Sequence, residues 1–187
     1  QTRKLVPGAS EPRFSGQIAW RFTVPADVAR TVLNPVNVTA FMGPKTHLVT
    51  YPLDQGKTIN MVAITPGTQR GETWNSHEMA TDRQDLLRAF MGWHRGIVSI
   101  LRQAPEMNCW PLYEVADGPW HNGEKTVLIG DAAHAMTPFA AQGAAMAIED
   151  GYELAQALTQ TASGDLTPML ARFEVARRAR IARTRSR

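Results

Sequence analysis

Cysteine is almost missing from this chain. The single thiol, Cys109, cannot close an internal disulfide or build a thiolate metal site, which favours a reducing compartment, with the cytoplasm as the simplest home. Long apolar runs are missing too. The most apolar stretch, residues 126–147, is interrupted by Asp131, His134 and Gln142, so nothing approaches the ~20 apolar residues of a membrane-spanning helix, and no membrane insertion is implied. The chain opens Gln1-Thr2-Arg3-Lys4, without Met and without the charged-then-apolar plan of a signal peptide. It is therefore expected to be an internal piece with a cut start. There is no internal repeat, no low-complexity segment and no Gly-x-Ser-x-Gly to seat a serine nucleophile. No metal site is expected, because His121 and His134 lack Asp, Glu or Cys partners at helical spacing. A general basic character is also absent. The net charge of +3 reflects Arg172, Arg177, Arg178, Arg180, Arg183, Arg185 and Arg187 near the end, while the remainder is close to neutral or acidic.

What is present fits one ordinary domain or two small ones, since 187 residues at 43% hydrophobic content can bury a core. The first half reads as sheet. Within residues 14–22, Ile18, Trp20 and Phe22 alternate with Gln17, Ala19 and Arg21, the period-two pattern of a strand with one face on a core and Arg21 on the more polar face. Residues 46–53 and 58–64 read as a hairpin whose connection, 54–57, needs Gly56 at positive φ. His47, Val49 and Tyr51 then share one strand face, with His47 and Tyr51 about 13 Å apart at ~3.3 Å per residue. Helices follow. Thr81-x-x-Gln84 has the form of a capping box opening a helix over 82–91, and a second helix through Ile97, Val98, Ile100 and Leu101 should close at Pro105. Trp20, Trp74, Trp93 and Trp110 read as core. A short strand around Tyr113 and a buried strand over 125–129 come next. The helix starting near Gln142-Gly143 sets Ala145, Ile148, Tyr152, Ala155 and Leu158 on one stripe, and Glu149, Glu153, Gln156 and Gln160 on the opposite one. Gly164 and Pro168 mark a loop before a last arginine-rich helix over 170–187. The fold class expected is α+β.

The chemistry is concentrated between Gly130 and Asp150. A buried strand would deliver the Asp131 carboxylate at its tip, where it can accept hydrogen bonds from sugar-like hydroxyls. Ala140, Ala141, Gly143 and Ala144 would let the backbone approach a flat ring closely. The helix mouth offers unpaired amides and partial positive charge, which favours an anionic ligand. His134 reads as a hydrogen-bonding member of the loop rather than a catalyst.

Gly130-Asp131-Ala132-Ala133-His134, then Pro138, Gln142-Gly143 and Glu149-Asp150 resemble, in order and spacing, the second FAD-binding motif of the group A flavoprotein monooxygenases, the family of para-hydroxybenzoate and salicylate hydroxylases. Ala141 stands where the family commonly has Gly, and Ala145 where it commonly has Asn. Further resemblance lies in Gly16-Gln17-Ile18-Ala19-Trp20-Arg21, in Met42-Gly43-Pro44 with His47, Tyr51-Pro52 and Asn60, in Phe90-Met91-Gly92-Trp93-His94, and in Phe173 with Arg177 and Arg180. The family's Gly-x-Gly-x-x-Gly and Asp-Gly motifs are absent, although Arg3 matches the last residue of the latter.

This resemblance implies three segments: 1–12 as the end of a first FAD-domain part, 13–106 as a substrate-binding sheet domain, and 107–187 as the returning FAD-domain part. It also implies an enzyme hydroxylating a phenol or aromatic carboxylic acid with FAD, O2, and NADH or NADPH as reductant; the fragment alone should bind FAD poorly. The implied cofactor residues are Gly130, Asp131, Pro138, Gln142, Gly143, Ala144 and Ala145. His47 is implied as the group that draws a proton from a ring hydroxyl, since an imidazole of pKa ~6.5 suits that task, with Arg21 and Tyr51 gripping the substrate. The rival readings are a non-catalytic remnant and a basic nucleic-acid-binding module resting on the final helix. A small aromatic acid is thus the expected partner, with neither nucleic acid nor membrane, and oligomeric state is left open.

Overall fold

A computed structural model describes residues 2–68, 79–104, 107–161 and 166–185. Trp74, Pro105, Gly164 and Arg187 lie outside them. The chain divides into two compact units, residues 1–15 with 113–187, and residues 16–112. The sequence had placed the divisions at 12 and 106.

The unit of residues 16–112 is built on a sheet of five strands: β1 (Pro12–Pro25), β2 (Thr39–Met42), β3 (His47–Leu53), β4 (Thr58–Pro66) and β5 (Asn108–Val115), in the order β2-β3-β4-β1-β5. β1 and β5 carry the chain across the unit boundaries. The expected hairpin is β3–β4, paired antiparallel from Leu53↔Thr58 to His47↔Ile64. Its turn places Asp54, Gln55 and Gly56 all at positive φ, with Gly56 at 85°, a region glycine enters without the Cβ penalty that the two preceding residues bear. One face of the sheet is the core. Trp20, Phe22, Val24, Leu48, Ile59, Met61 and Ala63 are buried on it, and the Trp20 indole donates to Thr65 Oγ1 at 2.8 Å. Each large apolar side chain sealed there contributes roughly 1.5–3 kcal/mol.

A single helical turn, α1 (Ala26–Ala29), follows β1, and α2 (Met79–Ala89) and α3 (Arg95–Gln103) bring Leu86, Phe90, Ile97, Ile100 and Leu101 to this core. Within the described residues the helix runs from Met79, so Thr81 lies inside it rather than ahead of its first turn. Met79 and Ala80 are good helix formers and extend the helix upstream of that signal. His94 caps α3 through Nδ1, which accepts from the Gly96 amide at 3.2 Å, and Arg83 donates to the carbonyls of Arg102 and Ala104 at its far end. Ala104 is extended, as a residue before proline is pushed to be. Of the tryptophans expected in the core, Trp20 is sealed, while Trp93 and Trp110 are half-buried.

The other unit holds α4 (Asp131–His134), α5 (Gly143–Thr159) and α6 (Thr167–Arg185) around Val6, Trp120, Leu128, Ala133, Met146 and Ile181. The expected strand over 125–129 is not one. That segment makes a single antiparallel bridge, His121↔Val127, with Leu128 N–H donating to the Trp120 carbonyl, and while Leu128 is buried Ile129 is exposed. A strand needs a ladder, and among the described residues only the stretch around residues 120–122 offers this one any pairing. The last helix starts at Thr167, so Pro168 sits in its first turn, where a missing N–H costs nothing.

Candidate functional site

The residues read as a cofactor loop lie together in the unit of residues 1–15 and 113–187. Gly130 has φ 56° and ψ −142°, backbone that only glycine adopts readily, and a Cβ built on it would stand 3.0 Å from the Ala147 Cβ. The loop is thus seated against the second turn of α5. Asp131, opening the α4 turn, has its side chain exposed. Pro138 starts a short 3-10 turn ending in Ala141 at φ 50°, and Gln142 precedes α5 without a side-chain cap. Ala141, Gln142, Ala144 and Ala145 are exposed, and nothing lies within 4 Å of a Cβ added at Gly143. The mouth of α5 at Gly143 is therefore uncrowded on its Cβ side. Beside this loop a cleft of about 690 Å³ is lined by Glu114, Ala135, Met136, Thr137, Phe139 and Arg185 among others.

Behind the loop is a buried polar cluster. The Asp150 Oδ2 accepts from the Gly130 amide at 2.8 Å and lies 2.6 Å from His134 Nε2; its Oδ1 accepts from Arg177 Nε at 2.7 Å. Asp150 is fully buried, His134 is 1% exposed and Arg177 5%. Burial alone would raise the Asp150 carboxyl, but the donors from His134, Gly130 and Arg177 outweigh it and hold the group below its ordinary range. Arg177 also donates to Glu149 Oε2 at 3.0 Å and to the Met146 carbonyl at 3.3 Å, and Arg180 makes two bonds to Glu149 at 2.9 and 3.0 Å. Arg180, assisted by Arg177 and opposed by desolvation, keeps the Glu149 carboxyl low as well. His134 is therefore structural, as read, its ring 5.3 Å from that of Trp120.

The sequence reading missed the role of Asp150 and Trp120. It also read the arginines of α6 as a local basic run, whereas Arg177, Arg178, Arg180 and Arg185 are each paired with a carboxylate of the same unit. A phosphate-binding row is a poor description of arginines engaged in this way. The α5 stripe of Ala145, Ile148, Tyr152, Ala155 and Leu158 is exposed, and the helix turns Met146 and Asp150 inward instead. A carboxylate at the inward position breaks the apolar period, which is why the stripe misleads. Arg3 donates to the carbonyls of Asp131 at 3.2 Å and Ser10 at 2.8 Å. His121 and His134 do meet carboxylates in space, Glu174 at 3.6 Å and Asp150 at 2.6 Å, but no group of three metal-ligating side chains forms among the described residues.

In the unit of residues 16–112, the register puts the expected substrate residues on the sheet face opposite the core. Arg21 is paired with Val62, which is paired with Val49; Ile64 links Ala19 to His47, and Asn60 links Thr23 to Tyr51. Arg21, His47 and Tyr51 therefore share one face, with Arg21 two strands across and in the row between the other two. Arg21 and Tyr51 are exposed and His47 is half-buried. Gln17 and Asn60 lie on the same face, and Gln17 Oε1 and Asn60 Nδ2 are shielded from water with no hydrogen-bond partner. Period two in β1 and β4 was the signal that could have added both to the candidates.

The family described as an FAD binding domain matches residues 15–186. The chain belongs to that family. It is 32% identical over 186 residues to a salicylate hydroxylase of Pseudomonas putida, covering 92% of this chain and 43% of that protein. A 3-amino-4-hydroxybenzoate 2-monooxygenase of Streptomyces platensis is 34% identical over 172 residues, covering 91% and 42%. Among solved structures, a salicylate hydroxylase substrate complex superposes with a TM-score of 0.80 at 26% identity, over 94% of this chain and 46% of that one. The α+β architecture is that of these relatives. The chain spans less than half the length of each. No helix of the described residues is long and apolar enough to cross a membrane.

Proposed function

We propose that this FAD-binding-family chain is part of a flavoprotein monooxygenase that hydroxylates a phenol or aromatic carboxylic acid, of the salicylate or hydroxybenzoate kind, using NADH or NADPH and O2. The observation that carries the reading is the loop from Gly130 to Ala145: an exposed carboxylate, small exposed residues and an uncapped helix mouth on one seated backbone. These residues fit FAD. Asp131 would accept hydrogen bonds from the ribityl hydroxyls. The amides of Gly143, Ala144 and Ala145, with Gln142 before them, would face the pyrimidine end of the flavin, where the α5 dipole favours negative charge. Pro138, with the exposed Ala141 and Ala144, would leave room for the flat ring. When bound, FAD supplies hydride acceptance from the nicotinamide and activation of O2; the chain's own residues hold, orient and deprotonate.

On the sheet face, Arg21 would pair with the substrate carboxylate, Tyr51 would fix a second polar group, and His47 would take the proton of the ring hydroxyl, making the ring carbon electron-rich. The names of the relatives support this substrate class. The test uses the full-length protein. It should purify yellow, and salicylate or a hydroxybenzoate should accelerate its NADH or NADPH oxidation. Asp131→Ala should release flavin into the flow-through. A colourless full-length protein with no flavin in its denatured supernatant would sink the proposal.

A further inference from the structure

The cluster behind the loop points to one more residue of the flavin site. Asp131 sits on a turn of four residues, and both ends of that turn are held by one atom. Asp150 Oδ2 accepts from the amide of Gly130, which precedes the turn, and bonds Nε2 of His134, which ends it. The other carboxylate oxygen is tied to α6 through Arg177 Nε. Asp150 itself belongs to α5, about two turns beyond the helix mouth at Gly143. A single sealed carboxylate therefore ties the backbone on either side of Asp131 to α5, the helix that opens at Gly143. A Cβ on Gly130 would stand 3.0 Å from the Ala147 Cβ, so the loop backbone that Asp150 holds is seated close against α5.

We propose that Asp150 is a positioning residue for FAD, acting through the Gly130 amide and His134 to place the Asp131 carboxylate. The inference rests on the reading that Asp131 binds the flavin. Asp150 does not touch the cofactor. It clamps the turn, so that the Asp131 carboxylate is already placed when the ribityl chain arrives and little ordering is left for binding to cost. Asp150→Asn keeps the volume but replaces one acceptor oxygen with an N–H that faces a donor, releasing either the turn or Arg177.

The experiment is a double-mutant cycle on the full-length protein, stripped of flavin and titrated with FAD well below the melting temperature. The expected result is that Asp150→Asn raises the FAD Kd about tenfold beside native Asp131 but less than about twofold in the Asp131→Ala background, because neighbours acting through one contact do not add. Equal factors in the two backgrounds would mean Asp150 only stabilises the fold, and would overturn the proposal. Arg180→Met serves as the control, a change that loosens the Glu149 pair without touching the turn and should leave the FAD Kd unchanged in both backgrounds. Should Asp150→Asn fail to fold, His134→Leu replaces it in the cycle, removing one of the two grips, with the same non-additivity expected at a smaller factor and the same refutation. If the unmutated protein takes up no FAD, the functional reading and this inference both fall; if it does and the cycle is multiplicative, only this inference falls.

Discussion

Arg177→Met is the substitution that most directly probes what holds α4, α5 and α6 together. It removes the donor to Asp150 Oδ1 at 2.7 Å and those to Glu149 and the Met146 carbonyl, while leaving a side chain long enough to fill much of the space. What remains is a fully buried carboxylate that has lost its guanidinium. Breaking one half of a buried pair costs about 3–5 kcal/mol. The lower end applies here, because Asp150 keeps the Gly130 amide and His134 as donors. At roughly 2–4 °C per kcal/mol for a chain of this size, the melting temperature should fall by about 6–12 °C. Arg180→Met removes two bonds to a carboxylate that is over one-third exposed, so its cost should stay within about 1 kcal/mol. Thermal unfolding followed by circular dichroism at neutral pH, flavin-free so that ligand linkage does not contribute, separates the two. The deficit of Arg177→Met should narrow in acid. The Asp150 carboxyl is held low in the folded chain, so its contribution is complete above its ordinary unfolded value and disappears as pH falls through the lower folded one. A drop no larger than that of Arg180→Met, or a deficit that widens on acidification, would refute the account of the pair.

Ala141 and Gly130 make opposite backbone predictions. Ala141 sits at φ 50° with its side chain exposed, so Ala141→Gly should stabilise by about 0.5–1 kcal/mol in denaturant titration. Gly130→Ala meets both a positive φ and the Ala147 methyl and should destabilise by roughly 2 kcal/mol or more, with FAD affinity falling alongside. On the sheet face, His47→Gln should lower kcat for ring hydroxylation by about 10²–10⁴-fold, the usual worth of a general base, while flavin content measured by absorbance stays at the native level. Arg21→Gln should raise KM for an aromatic acid more than for the same phenol lacking its carboxylate, and an equal effect on both would remove Arg21 from the substrate face.

Local order was the legible part of this fold. The β3–β4 hairpin follows from alternation on both arms and a Gly at the turn, and α5 from its start at Gln142-Gly143, since both depend on residues close together in sequence. Where the reading failed, a distant partner decided the matter. Residues 125–129 have a strand's composition, but extended backbone becomes a strand only when a neighbour supplies the ladder. Thr81 has the residue type of a cap, yet the helix-forming residues before it carried the helix past it.

The site divides along the same line. Asp131 and the residues from Pro138 to Ala145 fall within one short stretch, which is why the sequence alone could propose them together as a candidate site. Asp150 sits only a few residues further on, and its place in the buried cluster was invisible because its partners come from three distances: 20 residues for Gly130, 16 for His134 and 27 for Arg177. No periodicity encodes such a set. The apolar stripe of α5 pointed the wrong way for a related reason, since a buried helix face is usually inferred from its hydrocarbon, and this face is held by a carboxylate whose desolvation is offset by three donors. A fully buried Asp inside an amphipathic helix therefore implies that donors wait for it elsewhere in the chain, and the arginines of a helix that reads as basic are the first place to look for them.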